Sequence, residues 1–320
     1  MARPFDVAVM HDFFVDRLVR TKDLSGLLRE VGSKARAGGG GIHDVSQSEI
    51  KGGNAVNLAH ALAKLGLRTL LITHTDSVHD ALLREPFEGL DAEVRAKPKP
   101  PGLTVAFEER ANVMLGEGGG AADFGPELLG PEDWESLKTA RLVCSVNWAA
   151  NRSGTRLLSE LRKRLGRAKT IFFDPADVRD RLDRYRELLK LTRDHHLIDW
   201  MSLNEQEALA TSKVLGVGGK TLEEKCLGIG RTLGIELDVH TEEGSMTLEK
   251  GKVVSFRSGP VIPKRLTGAG DVWGAATIYG RLKKVKAEER LRFANAAAAI
   301  YLRGREPVPP SLEQVLARAG

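Results

Sequence analysis

Thr267-Gly268-Ala269-Gly270 runs directly into Asp271 near the C-terminal end of this 320-residue chain. Val272, Ala275, Ala276 and Tyr279 then recur at helical spacing, which puts Asp271 in the first turn of a helix. Backbone N–H groups of Gly268, Ala269 and Gly270 at such a helix start form an anion site. A carboxylate beside them could accept a hydroxyl proton while the amides stabilise charge on a transferring phosphoryl group. The plain alternative is a tight turn whose acidic residue complements the helix dipole.

Two other stretches carry compatible chemistry. In residues 50–66, Gly52-Gly53 lets backbone approach a ligand closely, because no Cβ intervenes. Asn54 is placed to cap the helix that follows, and Asn57 falls in its first turn, where a carboxamide can donate to and accept from hydroxyls. A glycine turn before a capped helix would read the same way. In residues 202–210, Asn204 and Glu207 stand three apart at the end of an apolar run and share one helical face. Such an oxygen pair suits a hydrated Mg²⁺ held partly by substrate phosphates; the alternative is an N-capped helix with an exposed glutamate. Base, anion hole and metal helper are each weak signals alone, and gain weight from their order.

The elements that must position these groups alternate along the chain. Short apolar runs at 5–10, 69–73, 142–146, 170–173, 197–203 and 235–240 read as buried strands. Helical patterns lie at 55–65, 153–165, 179–193, 205–215 and 222–233, and the last third turns helical at 274–282, 288–302 and 312–317. Repeated alternation predicts right-handed crossovers and a mainly parallel sheet covered on both faces. In such sheets ligands collect beyond the C-terminal strand ends. Residues 12–51 and 92–116 break the rhythm and read as antiparallel strands projecting from the body, a small β lid over the site. The whole of 1–320 reads as one domain.

Bulk properties narrow the function classes. Net charge is +5, from 48 basic and 43 acidic residues, and aromatics make up 5% without interleaving the basic runs. A nucleic-acid stripe is therefore not expected, whereas a modest positive field suits a phosphorylated small molecule. Cys144 and Cys226 lie in apolar contexts without metal-like or redox spacing and read as buried free thiols. The first residues lack a signal-peptide layout and no run approaches the ~20 apolar residues of a membrane span. The expectation is a cytoplasmic protein without membrane or nucleic-acid partners.

Taken together, these residues resemble the ribokinase (PfkB) family of carbohydrate kinases over nearly the full chain. "GGNAVNLAHALAKLG" is similar to the family's N-terminal signature, "TGAGDVWGAATIYG" to its C-terminal signature and "NEQE" to its Asn-x-x-Glu element. The resemblance implies a parallel αβα sandwich with a β lid and ATP- and Mg²⁺-dependent phosphorylation of a hydroxyl on a sugar, polyol or nucleoside. It makes Asp271 the base, with Gly268, Ala269 and Gly270 as the anion hole. It places Asp16, Gly52, Gly53 and Asn57 at the acceptor. It places Asn204, Thr241, Gly244 and Asn295 at the nucleotide, and Glu207 at the metal. Two subunits could pair through the lid, as in some relatives. Many members carry an acidic residue where this chain has Arg265-Leu266, and that acid helps form a monovalent-cation site in several of them. Here the arginine's charge could stand in for the ion or reach a nucleotide phosphate.

Overall fold

The computed structural model describes residues 3–108, 112–259, 261–265 and 267–319; Leu266 lies outside them. Its first strand, β1 (Val7–Met10), has all four side chains buried, as expected of a strand covered on both faces. Then follow β2 (Phe14–Arg20), α1 (Leu24–Arg36), β3 (Ser46–Gly52), α2 (Asn54–Lys64), β4 (Thr69–Thr75), α3 (Asp80–Arg84), β5 (Ala92–Pro98), β6 (Gly102–Glu108) and β7 (Asn112–Glu117). The middle of the chain supplies α4 (Pro131–Thr139), β8 (Leu142–Val146), α5 (Gly154–Leu165), β9 (Ile171–Asp174), α6 (Leu182–His195), β10 (Trp200–Asn204), α7 (Glu205–Leu215) and α8 (Leu222–Leu233). It closes with β11 (Glu236–His240), β12 (Gly244–Glu249), β13 (Lys252–Arg257), α9 (Ala269–Leu282), α10 (Ala287–Arg303) and α11 (Leu312–Ala319).

The main sheet has the order β13-β12-β11-β10-β9-β8-β1-β4-β5. From β5 to β11 every pairing is parallel. Along β1, Val7 and Val9 enter one apolar cluster while Ala8 and Met10 enter the other. The first cluster packs α2, α9 and α10 against the sheet; the second packs α4, α5, α6 and α8 against the opposite face. This is a three-layer αβα arrangement. The chain runs outward from β1 through β4 to β5, then returns to β8 on the other side. That reversal opens a crevice beyond the C-terminal ends of β1 and β8.

A second, four-stranded sheet has the order β3-β2-β6-β7. It draws on both segments that break the alternation, but three details differ from the sequence reading. β5 belongs to the edge of the main sheet, parallel to β4, so only β6 and β7 of the second segment join the small sheet. β2 pairs antiparallel with β3 but parallel with β6. Residues 24–36 form a helix rather than strand: Asp23 caps it by accepting from Gly26 N at 2.7 Å, and Lys34 and Arg36 favour its C-terminal dipole. The three helices expected near the C-terminus are present, and ahead of them β12 and β13 form an antiparallel hairpin on the sheet edge. Cys144 and Cys226 are buried free thiols.

Candidate active site

The crevice is built from strand ends. Asp12, just beyond β1, is fully buried and accepts from Asn54 N at 2.8 Å and Ala55 N at 2.9 Å. Asn147, beyond β8, adds its Nδ2 at 2.8 Å. Asp12 is thus the side chain that satisfies the amides heading α2, a correction to the expected capping role of Asn54: the cap position is Gly53, and Asn54 is the first helical residue. Gly53 has φ 97°, and a Cβ there would lie 2.8 Å from the Asp12 carbonyl oxygen, so only glycine fits. Burial pushes the Asp12 carboxyl up, and its three bonds pull it back. Asp12→Ala leaves two helix amides and a carboxamide without their acceptor. We expect a loss of about 2 kcal/mol of stability, read by denaturant unfolding, against almost none if water replaces the carboxylate.

On the side of the small sheet, Asp16 projects from β2 and is 5% exposed. Its carboxylate lies across Gly52, leaving no room for a Cβ. Burial pushes the Asp16 pKa up to about 6, against the Thr104 hydroxyl and the charge of Lys51. Lys51, on β3, donates from Nζ to Asn57 Oδ1 at 2.9 Å, and Asn57 Nδ2 donates to Asp271 Oδ2 at 3.0 Å. Asp271 occupies the first turn of α9, as its spacing implies. Burial raises its carboxyl well above the usual range and Asp174 adds to this, while the Asn57 bond and Lys51 oppose it. A carboxyl so placed has the proton affinity a general base needs.

The phosphate side begins at the head of α9. Gly268 takes φ 87° as its cap, and a Cβ there would lie 2.6 Å from the Tyr301 hydroxyl. Ala269 and Gly270 line a cavity of ≈ 1490 Å³, whose wall also includes Asn204, Glu207, Thr241 and Asn295. The His240 and Trp273 rings, 5.1 Å apart, form its apolar part, and burial holds His240 neutral with a pKa of about 4. Asn295 Oδ1 accepts from Trp273 Nε1 at 2.8 Å, while its buried Nδ2 has no partner among the described residues. That leaves one unsatisfied donor at the cavity wall, a fit for a ligand acceptor such as a ring nitrogen.

Gly244 and Arg265 are not among the lining residues. Gly244 donates its N–H to Thr241 Oγ1 at 3.1 Å and closes the β11–β12 turn. Arg265 is 6% exposed and bonds the Tyr301 hydroxyl at 3.3 Å and the Arg305 carbonyl at 3.1 Å. Tyr301 in turn donates to the Thr267 carbonyl at 3.0 Å, so the guanidinium braces the loop that delivers Gly268.

Asn204 and Glu207 engage each other. Asn204 Oδ1 accepts from Glu207 N at 2.9 Å, and Glu207 Oε2 accepts from Asn204 N at 2.8 Å, a reciprocal cap of α7. Burial and the neighbouring Asp174 push Glu207 up to about 8. Among the described residues no three or more His, Cys, Asp or Glu side chains converge to hold a metal. Asp12, Lys51, Asn147 and Asp174 were not singled out from sequence. Asp12 and Lys51 adjoin motifs that were: the first opens the stretch ending in Asp16, and the second precedes Gly52.

The two-sheet architecture, with Asp271 at a helix head beside a cavity of ≈ 1490 Å³, defines a ribokinase-like fold. Residues 33–313 match the model of the pfkB family of carbohydrate kinases, and the chain belongs to that family. It is thus a phosphotransferase with an alcohol group as acceptor. A Pyrococcus horikoshii protein assigned to the sugar kinases is 27% identical over 270 residues, covering 79% of this chain and 81% of its own. The ribokinase of Arabidopsis thaliana, solved with ribose and ATP, superposes with a TM-score of 0.74 at 22% identity, covering 99% of each chain. The adenosine kinase of Sinorhizobium meliloti gives 0.80 at 21% identity, covering 99% of this chain and 100% of its own. Among the described residues no helix is long and apolar enough to cross a membrane.

Proposed function

We propose that this protein transfers the γ-phosphoryl group of ATP to a hydroxyl of a sugar or sugar-like molecule. The observation that carries the reading is the place of Asp271. It is half-buried at the head of α9, bonded on one side to Asn57 and next in the chain to cavity-lining Ala269 and Gly270. Asp16 and Asn57 hold acceptor hydroxyls, and Asp271 takes the proton of the one that attacks. The new O–P bond forms as the bond from Pγ to the bridging oxygen breaks, and ADP leaves with that electron pair. The amides of Gly268, Ala269 and Gly270 face the charge that gathers on the transferring group. Mg²⁺, when bound with the nucleotide, neutralises phosphate charge, and Asn204 and Glu207 stand where they can meet its water shell.

The four-stranded sheet serves as the lid. It contributes Asp16 and Lys51 to the acceptor side, and its seating over the crevice excludes water that would compete as acceptor. It also turns Leu103, Val113, Met114 and Leu115 to solvent, an apolar face for pairing with a second copy. A nucleoside acceptor is the second reading. Phe14, two residues before Asp16, lays its ring against Gly102 of the neighbouring strand and supplies an apolar wall beside the carboxylate. ATP consumption across sugars, polyols and nucleosides, with the product identified by phosphorus NMR, separates the two. ATP turnover that no acceptor stimulates would count against both.

Arg265 carries a further expectation. A permanently charged guanidinium already bonds the Arg305 carbonyl and, through Tyr301, the loop ahead of Gly268. Activity should therefore be nearly indifferent to replacing K⁺ by Na⁺ or a bulky organic cation at constant ionic strength. Arg265→Ala should weaken ATP binding by about 1.5–3 kcal/mol, by loosening that loop rather than by losing a phosphate contact. Strong K⁺ activation of the unmodified protein would show that other groups build a cation site.

A further inference from the structure

Lys51 donates to Asn57 Oδ1, yet one neutral acceptor does not offset the burial of an ammonium. It is 6% exposed, the next-to-last residue of β3. Taking an ammonium out of water costs several kcal/mol unless charges and acceptors compensate. The charged groups that face it come from three directions: Asp271 on α9, Asp16 on β2, and Arg265 on the loop before α9. Its charge also reaches His60 on α2, an imidazole held neutral by burial. Burial is the largest influence on its proton, and Arg265 works in the same sense, while the two carboxylates oppose them. The balance lowers Lys51 to about 8, so the ammonium persists at neutral pH.

The bond to Asn57 fixes more than the lysine. A primary ammonium has donors and no acceptor, so Asn57 must turn its carboxamide oxygen toward Lys51. Its NH₂ is then left facing Asp271, where the 3.0 Å bond is found. Without the lysine, the amide loses the contact that selects this orientation over the flipped one. A flipped amide would place its oxygen against the carboxylate and favour the protonated acid. Asp271 already faces Asp174 and Asp12, both of which raise its proton affinity, and the hydroxyl of Tyr301 lies close by. Lys51 is the cation that acts in the opposite sense.

We propose that Lys51 is a positioning residue for the catalytic base: from the small sheet it sets the orientation of Asn57, so that the amide's NH₂ rather than its oxygen faces Asp271. It acts on Asp271 twice, through an amide donor and through space. Because Lys51 belongs to β3, the readiness of the base also depends on how the small sheet is seated. The inference rests on the reading of Asp271 as base, but its test does not require a known acceptor.

The test is a carbon-detected carboxyl titration of the substrate-free protein, with the Asp271 resonance assigned by its disappearance in Asp271→Asn. In Lys51→Met the Asp271 midpoint should move up by about one pH unit or more, so that the ionised fraction below the midpoint falls about tenfold. Once an acceptor is known, the acid limb of kcat/KM should move by the same amount, while KM for ATP holds. Should the methionine variant not fold, Lys51→Gln, which removes the charge but can still donate to Asn57, is expected to give a smaller shift in the same direction. An unmoved Asp271 midpoint in a folded variant overturns the proposal. Failure to find any phosphoryl acceptor would instead count against the proposed activity, leaving the titration readable.

Discussion

Replacing Asp271 by asparagine is expected to lower turnover by about 10²-fold or more while leaving ATP binding and the fold intact. The carboxylate is half-buried, and desolvation together with the charges of Asp174 and Asp12 holds its proton affinity well above that of an ordinary aspartate. Asparagine has the same shape and can still accept from Asn57 through its oxygen, but cannot take a proton. Removing a desolvated, repelled acid should therefore hold or raise the thermal midpoint as it abolishes chemistry. A mere helix-dipole acid predicts the reverse: a stability loss of about 0.3–1 kcal/mol and little kinetic change. The unmodified protein should also show an acid limb in kcat/KM above the ordinary aspartate range, and this limb should vanish in the variant. Steady-state kinetics with the acceptor found by the panel, together with ATP calorimetry, checks each arm.

The second large effect belongs to a methyl group. Gly52 lies in a strand with no unusual backbone angle, so any side chain could adopt its conformation; what forbids one is the Asp16 carboxylate lying against its Cα. Gly52→Ala must displace that carboxylate from the acceptor pocket. Loss of a charge-assisted hydrogen-bonding group is worth about 1.5–3 kcal/mol, so KM for the acceptor should rise about 10- to 100-fold with ATP affinity unchanged. Asp16→Ala should give a similar rise, and the double variant little more, because both changes remove the same group. An alanine variant with normal acceptor KM would mean that Asp16 does not hold the acceptor.

The sequence made the main sheet legible because its strands are short apolar runs between helical patterns, and period alone separates the two. It made the position of Asp271 legible for the same reason: four apolar residues at helical spacing follow it. The small sheet was legible only as a disturbance of that rhythm. Its strands are half-buried and its inserted helix buries no residue, so neither leaves a clean apolar period. The role of Asp12 was hidden because a buried carboxylate that caps a helix 42 positions away has no local signature. Lys51 was hidden by chemistry rather than distance. A lysine ahead of a glycine pair reads as a solvated charge, and only the convergence of β2, β3 and α9 shows that two carboxylates hold it.

The position of β1 has a consequence for how the chain is made. β1 is made before both of its neighbours, β4 and β8, with Val7 opposite Thr69 on one side and Leu142 on the other. Until residue 146 has been synthesised, one edge of a wholly apolar strand stays open to any strand it meets, including one on a neighbouring nascent chain. From β9 onward the burden disappears, because each new strand through β13 adds beside the one made just before it. Fragments ending before β8 should accordingly aggregate during expression. Fragments that reach beyond β10 should lose this edge-pairing route, and what aggregation remains should come from the sheet face that α9 and α10 have yet to cover.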